Sequence, residues 1–210
     1  MRNTRDSTPD FVLASASPRR VELLQQIGAS FLQLPVDIDE QALPGEQADR
    51  YVERMAREKA VAGWEKQSAH HSDILPSMGA DTCVVLGQKI LGKPNSEQHA
   101  IEMLLSLSGR THRVLTAVAI CRGEHCKSLL SETKVTFRRI NPQQCRWYWQ
   151  TGEPTDKAGG YGIQGLAGVF VERIEGSYSG VVGLPLVETH RLLKAFDIPW
   201  GATGMDKNEH

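Results

Sequence analysis

Three short stretches of the 210-residue chain carry side chains whose types and spacing suit chemistry on a phosphate. The first is Leu13-Ala-Ser-Ala-Ser-Pro-Arg-Arg-Val-Glu-Leu-Leu24, where a short apolar run gives way to a helical pattern. Ser17 suits the N-cap and Pro18 the first helical position, with Leu23, Leu24 and Ile27 as an apolar face. A helix start carries unpaired N–H groups and partial positive charge, so Arg19 and Arg20 in its first turn run against the dipole. An anion held by backbone N–H groups, the Ser15 and Ser17 hydroxyls and a guanidinium would explain them. A solvated helix start with arginines paired to surface carboxylates is the plainer alternative.

The second stretch is Met78-Gly-Ala-Asp-Thr-Cys-Val-Val-Leu86, followed by a hairpin through Gly87 to Lys89-Ile-Leu-Gly-Lys-Pro94. Asp81 stands among apolar residues, where a carboxylate is costly unless it is paired, protonated or bound to a cation. As the acidic end of a strand facing a basic helix start, it could bind a metal or polarise water, with Lys93 and the arginines holding phosphates. A structural aspartate at a strand end is the competing reading. The third stretch, glycine-rich Thr151 to Gly168, contains neither GxGxxG nor a P-loop ending, but its backbone can approach a ligand closely. It offers the pair Asp156-Lys157, the flat ring of Tyr161, and Gln164, whose amide has both a donor and an acceptor for a base edge.

The elements that must position these groups follow from periodicity. Strands are expected at Phe11–Leu13, Phe31–Val36, Val114–Cys121 and Leu129–Ile140, with one in the Met78 stretch that ends at Asp81 and a last hairpin of Val169–Ile174 and Tyr178–Val182. Helices are expected from Pro18 to Gly28, over 49–66 with Asp49 as N-cap, over Asn95–Leu107, from Asn141-Pro142 to about Gln150, and from Gly183-Leu-Pro185 through Phe196. Lys59 falls near the end of the second helix, where a lysine is commonly just solvated. Asp37-Ile-Asp-Glu40 could hold a divalent cation or be a polar loop. His112 reads as a hydrogen-bonding loop histidine, and His70 and His71 as surface residues of an exposed connection over 67–77. The Trp147, Tyr148 and Trp149 cluster reads as core or a subunit interface.

Composition narrows the function classes. Lys plus Arg total 24 against 25 for Asp plus Glu, a formal charge of −1, which argues against a general nucleic-acid binder. Cys83, Cys121, Cys126 and Cys145 are scattered, so their spacing indicates neither a zinc site nor a disulfide framework, and a reducing cytosolic compartment suits them. No apolar run approaches the ~18 residues of a membrane span, and the N-terminus has no signal-peptide core. The expected organisation is a flexible lead-in over 1–10, one domain over 11–200 and a flexible tail over 201–210.

Taken together, these stretches resemble the Maf family of nucleoside triphosphate pyrophosphatases. The resemblance rests on Ser15-Ala-Ser-Pro-Arg-Arg20 with Glu22-Leu-Leu, Arg57-Glu-Lys-Ala60, Gly79-Ala-Asp-Thr82, Gly92-Lys-Pro94 and Ser108-Gly109 with His112. It continues through Asp156-Lys-Ala-Gly159, Tyr161-Gly-Ile-Gln-Gly165 and Val182-Gly-Leu-Pro185. It implies an α/β fold of the Maf-like (inosine triphosphatase-like) kind, an elongated mixed β-sheet flanked by helices with a cleft between two lobes. It also implies cleavage of a nucleoside triphosphate to monophosphate and pyrophosphate with Mg2+ or Mn2+, in a cytoplasmic homodimer that uses neither nucleic acid nor membrane. By the same resemblance Asp81 is the catalytic proton acceptor and, with Glu40, a metal ligand. Ser15, Ser17, Arg19, Arg20, Lys59 and Lys93 face the phosphates. Arg19, Thr82 and Gln164 match the branch that resembles dTTP and UTP hydrolases. The branch acting on 7-methyl-GTP departs at those three places, and a non-catalytic nucleotide-binding regulator of cell division is the alternative of another class.

Overall fold

The computed structural model describes residues 8–68 and 74–201. Chain order is β1 (Phe11–Leu13), α1 (Pro18–Gln26), β2 (Phe31–Gln33), α2 (Ala48–Ser68), β3 (Ser77–Leu86), β4 (Lys89–Leu91) and α3 (Glu97–Leu107). There follow β5 (Thr111–Arg122), β6 (His125–Phe137), α4 (Pro142–Gln150), three short 3-10 turns between 153 and 170, β7 (Val171–Glu175), α5 (Tyr178–Val182) and α6 (Leu186–Ala195). The strands form one seven-stranded mixed sheet in the order β2-β1-β3-β5-β6-β7, with β4 on the β1 side of β3. β1 is parallel to β2 and β3, while β3, β5, β6 and β7 pair antiparallel in sequence.

Two of these strands, β3 and β5, are long enough to serve two cores. On one face, Met78, Ala80, Val118 and Ile120 pack with Phe11, Leu13, Leu24, Leu184, Leu192 and Leu193. Further along the same face, Val84 and Val114 join Leu104, Leu107, Phe137, Tyr148 and Phe170. Between the two cores the face carries Thr82 and Thr116, which are paired in register. Alternation sends Cys83, Val85, Leu115, Ala117 and Ala119 to the opposite face, against Val52, Ala56 and Ala60 of α2. The sheet is also split along one edge. β1 pairs with β3 only at Ser77 and Met78, and β4 only from Val84 to Leu86, so Gly79–Cys83 has no strand beside it there. That gap adjoins a cleft lined by Asp81, Thr82 and Cys83.

Several expectations need correction. Asp81 lies in the middle of β3, not at its end, because the strand continues to Leu86 and turns at Gly87. β2 stops at Gln33, and α2 starts one residue before Asp49, which is a first-turn acid and not the N-cap. Lys59 lies in mid-helix and is buried. Gln67 belongs to α2, buried, with its side chain bonded to Gly63 O and to both backbone groups of Leu75, so it is not part of an exposed connection. His70 and His71 lie outside the described residues. Tyr178–Val182 is a helical turn instead of a strand, because the Ser177 hydroxyl caps Gly180 N–H at 3.0 Å. His112 is on β5, buried, and donates to or accepts from the Tyr161 hydroxyl at 2.7 Å. Tyr148 is core, whereas Trp147 is 46% exposed. Cys121 and Cys126 form a disulfide, which their spacing of five concealed: the turn of the β5–β6 hairpin sets them directly opposite each other, Cα atoms 4.2 Å apart.

Candidate active site

The cleft has a volume of ≈ 490 Å³, and Ser15, Ser17, Arg19, Arg20, Glu40, Lys59, Asp81, Thr82, Lys93 and Gln164 all line it. The residues that the family resemblance points to therefore meet in one cavity, whereas Asp37 and Asp39 of the acidic loop do not line it. They arrive from six separate segments, held in place by packing.

The β1–α1 connection is tight because Ala14 N–H donates to Met78 O at 2.8 Å, holding the turn on β3. Ser17 has the extended backbone of an N-cap, but its side chain makes no capping bond. Ser15 is buried, and its hydroxyl accepts from Ser17 N–H at 3.2 Å and from Arg20 Nη1 at 3.0 Å. Arg20 Nε also donates to Gly183 O at 2.9 Å, which ties α1 to the end of α5. Burial lowers the Arg20 pKa and the nearby Asp81 opposes that shift, while a guanidinium stays protonated at any working pH. Arg19 reaches across the cleft mouth to Asp156 at 3.0 Å.

On the other face of the sheet, Lys59 Nζ stands between two carboxylates, 2.7 Å from Asp81 Oδ1 and 2.6 Å from Glu40 Oε1. Gly79 makes this approach possible, since a Cβ there would run into the Ala56 carbonyl and the Ala60 amide of α2. With the helix backbone pressed against the strand, Lys59 points down the strand to Asp81. Glu40 comes from the loop between β2 and α2. Tyr51 donates to its carbonyl at 3.0 Å, and Arg54 grips the same loop through Glu46 at 2.7 Å and Gln41 O at 3.0 Å. Burial raises the Glu40 pKa, but the hydrogen bond and charge of Lys59, with Lys93 and Arg20, outweigh it and hold the carboxyl below its usual range. Burial and the charges of Asp81 and Glu40 push Tyr51 up to about 12, so it serves as a donor.

Among the described residues no three His, Cys, Asp or Glu side chains cluster as a metal cage. Asp39 is spent in its own turn, accepting from Gln41 N–H at 3.0 Å, which leaves Glu40 as the acid of that loop that joins Asp81. Two carboxylates converging on one cation position fit Mg2+ or Mn2+, which take hard oxygens and complete their shell with water and substrate phosphate. Lys59 marks where positive charge is favoured.

The glycine-rich segment closes the far side. Gly159 N–H donates to Gly92 O at 2.9 Å beside Lys93, and Gly165 N–H to Gly162 O at 3.1 Å, which makes Ile163 and Gln164 the centre of a turn. Ile163 is buried in the core and Gln164 exposed to the cleft, so the turn presents the amide on a fixed stem. Sequence reasoning missed Tyr51, Thr116 and Glu153. Tyr51 and Glu153 hold the loops that carry Glu40 and Gln164, and no local pattern marks either. Thr116 donates its hydroxyl to Gly180 O at 2.7 Å and contacts Thr82 Oγ1 at 3.1 Å; only the pairing of β3 with β5 could have found it.

A split mixed sheet, with two arginines and two lysines set around a pair of carboxylates in the split, defines an α/β protein built to hold a polyanion beside an acidic group. The class is matched by a family: the chain belongs to the Maf-like proteins, whose family model covers residues 10–196. It is similar to the dTTP/UTP pyrophosphatase of Saccharophagus degradans, 51% identical over 197 residues that cover 94% of this chain and 93% of that protein. The dTTP/UTP pyrophosphatase of Pseudoalteromonas atlantica is 52% identical over 187 residues, covering 89% and 97% respectively. That of Escherichia coli O157:H7 is 51% identical over 185 residues, covering 88% and 92%.

Proposed function

We propose that this protein hydrolyses nucleoside triphosphates, with dTTP and UTP preferred, to the monophosphate and pyrophosphate. The observation that carries the reading is the convergence of Arg20, Lys59, Lys93, Glu40 and Asp81 in the cleft that Gln164 also lines. Relatives at 51–52% identity that are dTTP/UTP pyrophosphatases support the substrate preference.

Phosphoryl transfer asks mainly for positioning and charge stabilisation. The Ser15 and Ser17 hydroxyls, with Arg19 and Arg20, would bind phosphate oxygens, and Lys59 and Lys93 would neutralise charge moving onto the pyrophosphate leaving group. Lys59 engages Asp81 through Oδ1, so Oδ2 is the oxygen suited to orient a water and take its proton as it attacks the α-phosphorus. Glu40 and Asp81 would hold the divalent cation. When bound, the cation supplies Lewis-acid charge stabilisation at the phosphates. Gln164, with Thr82, would read the base: a pyrimidine with a carbonyl and an N3–H matches an amide's donor and acceptor. A homodimer is proposed with this activity, and light scattering on the purified protein would test it.

Product identity tests the reading. Purified protein with Mg2+ or Mn2+ is offered dTTP, UTP, CTP, ATP, GTP and 7-methyl-GTP, and nucleotides, phosphate and pyrophosphate are separated. Monophosphate and pyrophosphate from dTTP and UTP, with little from the others, is the expected result. Free phosphate as the first product, or binding without turnover, would overturn it. A methylated-purine preference would leave Asp81 in place and refute the base reading.

A further inference from the structure

The tip that carries Gln164 is held by one carboxylate that nothing in the cleft chemistry uses. Glu153 stands at the start of the glycine-rich segment. Its Oε2 accepts from Leu166 N–H at 2.9 Å, two residues after Gln164. Its Oε1 accepts from the Tyr148 hydroxyl at 2.7 Å, and the same hydroxyl accepts from Gly162 N–H at 3.0 Å, two residues before Gln164. Both flanks of the turn therefore end on the same side chain. Tyr148 is fully buried in the core, and burial together with the Glu153 hydrogen bond keeps its phenol protonated, so it must donate to Glu153. Gly165 closes the arrangement: a Cβ there would collide with the Glu153 carboxylate, and a Cβ on Gly162 would lie 2.7 Å from Lys157 Cε. Lys157 Nζ in turn donates to Glu153 O at 2.6 Å and fixes the backbone from which the carboxylate projects.

We infer that Glu153, acting through Tyr148, is a positioning residue for substrate selection: it holds the Gln164 turn in the one register that lets its amide pair with a pyrimidine. This rests on Gln164 reading the base, as proposed above. The chemistry of the clamp calls for a carboxylate. Two donors, an O–H and an N–H, converge on it from opposite sides, and a carboxylate accepts on both oxygens. An amide of the same shape accepts on one oxygen only: it either turns an N–H against Leu166 N–H or meets the Tyr148 oxygen with its NH2 and leaves the buried phenol proton unpaired, so Glu153→Gln weakens the clamp while leaving no cavity. A group that merely fills space would tolerate that change. Glu153 and Tyr148 contact neither Asp81 nor the phosphate-binding side chains, so loosening the turn should spare the chemical step.

The experiment measures kcat and KM for UTP, CTP and ATP in the full-length protein and in Glu153→Gln, Tyr148→Phe, Gly165→Ala and Gln164→Ala. The preference for UTP, as a ratio of kcat/KM values, is expected to fall about tenfold in Glu153→Gln, chiefly through KM, with kcat for UTP within about threefold of the parent. Tyr148→Phe removes the other tether and Gly165→Ala displaces the carboxylate, and either should move the ratio in the same direction if one variant fails to fold. Glu153→Gln combined with Gln164→Ala should discriminate no worse than Gln164→Ala alone. An unchanged ratio in Glu153→Gln beside a collapsed ratio in Gln164→Ala would overturn the positioning role and leave the base reading intact. An unchanged ratio in Gln164→Ala itself would overturn both. Equal loss of kcat for all three nucleotides would make the clamp purely structural and refute the inference.

Discussion

Replacing Lys59 with methionine isolates the ion pair at the centre of the cleft. The substitution keeps most of the aliphatic stem and removes the ammonium that Asp81 and Glu40 share at 2.7 and 2.6 Å. Side-chain exposure is 11% for Lys59 and 13% for Asp81, so that half of the triad is nearly dry, whereas Glu40 is 49% exposed and screened by water. Orphaning a buried charge costs about 3–5 kcal/mol, and an exposed pair contributes about 0–1 kcal/mol. Arg20 remains close enough to interact with Asp81, so the lower end, about 3 kcal/mol, is the reasoned value. In a domain of this size that corresponds to a fall in Tm of about 6–12 °C. The pH dependence has a definite sign. The Glu40 pKa is held below its ordinary 4.5, so its pairing stabilises the fold above that value and is lost as pH falls through the depressed pKa. The Glu40 share of the gap between parent and Lys59→Met, about 0–1 kcal/mol for so exposed a partner, is therefore complete at neutral pH and begins to fade only below 4.5. Calorimetric melts of both proteins without nucleotide or divalent cation measure it. Adding Asp81→Asn and Glu40→Gln to Lys59→Met should restore most of the lost stability, since no unpaired charge then remains. A fall smaller than about 2 °C at neutral pH would refute the account of Lys59 and Asp81 as a desolvated pair.

The remaining expectations concern single contacts. Asp81→Asn should cut kcat on UTP by about 10²–10⁴ while the protein still melts cooperatively, and near-parent turnover would remove Asp81 as the proton acceptor. Asp156→Ala releases Arg19 from a pair whose carboxylate is exposed and screened by water, so stability should change by less than about 1 kcal/mol. KM for the triphosphate should rise with kcat retained if the bridge holds Arg19 for phosphate, and steady-state kinetics decide it. Reducing Cys121–Cys126 opens a short loop whose closure entropy amounts to about 2 kcal/mol, so reductant should lower Tm by about 4–8 °C, read by parallel melts with the Cys121→Ser and Cys126→Ser double variant. No shift on reduction would show that the hairpin holds those residues together unaided.

Residue order alone determined the local parts. Pro18 after an extended Ser17, the Asn141-Pro142 capping box closed by Gln144, and the turn at Gly87 are decided within a few residues, by dihedral preference and by hydrogen bonds over short range. The strands β3 and β5 were legible because Cys83 to Leu86 and Val114 to Cys121 are apolar enough to be buried on both faces. The candidate site residues were legible as types: an acid in an apolar run, arginines against a helix dipole, an amide in a glycine-rich turn. Their roles were less so. Lys59 has the look of a solvated helix lysine, and only the close approach of α2 at Gly79 turns it toward Asp81. Tertiary structure also decided that Glu40 and not Asp39 joins that pair, because Asp39 bonds its own turn and Tyr51, eleven residues on, anchors Glu40. It set Cys121 against Cys126 through hairpin register, and placed Thr116 behind Thr82 and Glu153 behind Gln164. Short-range energies are written along the chain and can be read there. Contacts such as Arg19 with Asp156, 137 residues apart, exist only once the sheet order has been chosen, and that choice belongs to the whole core at once.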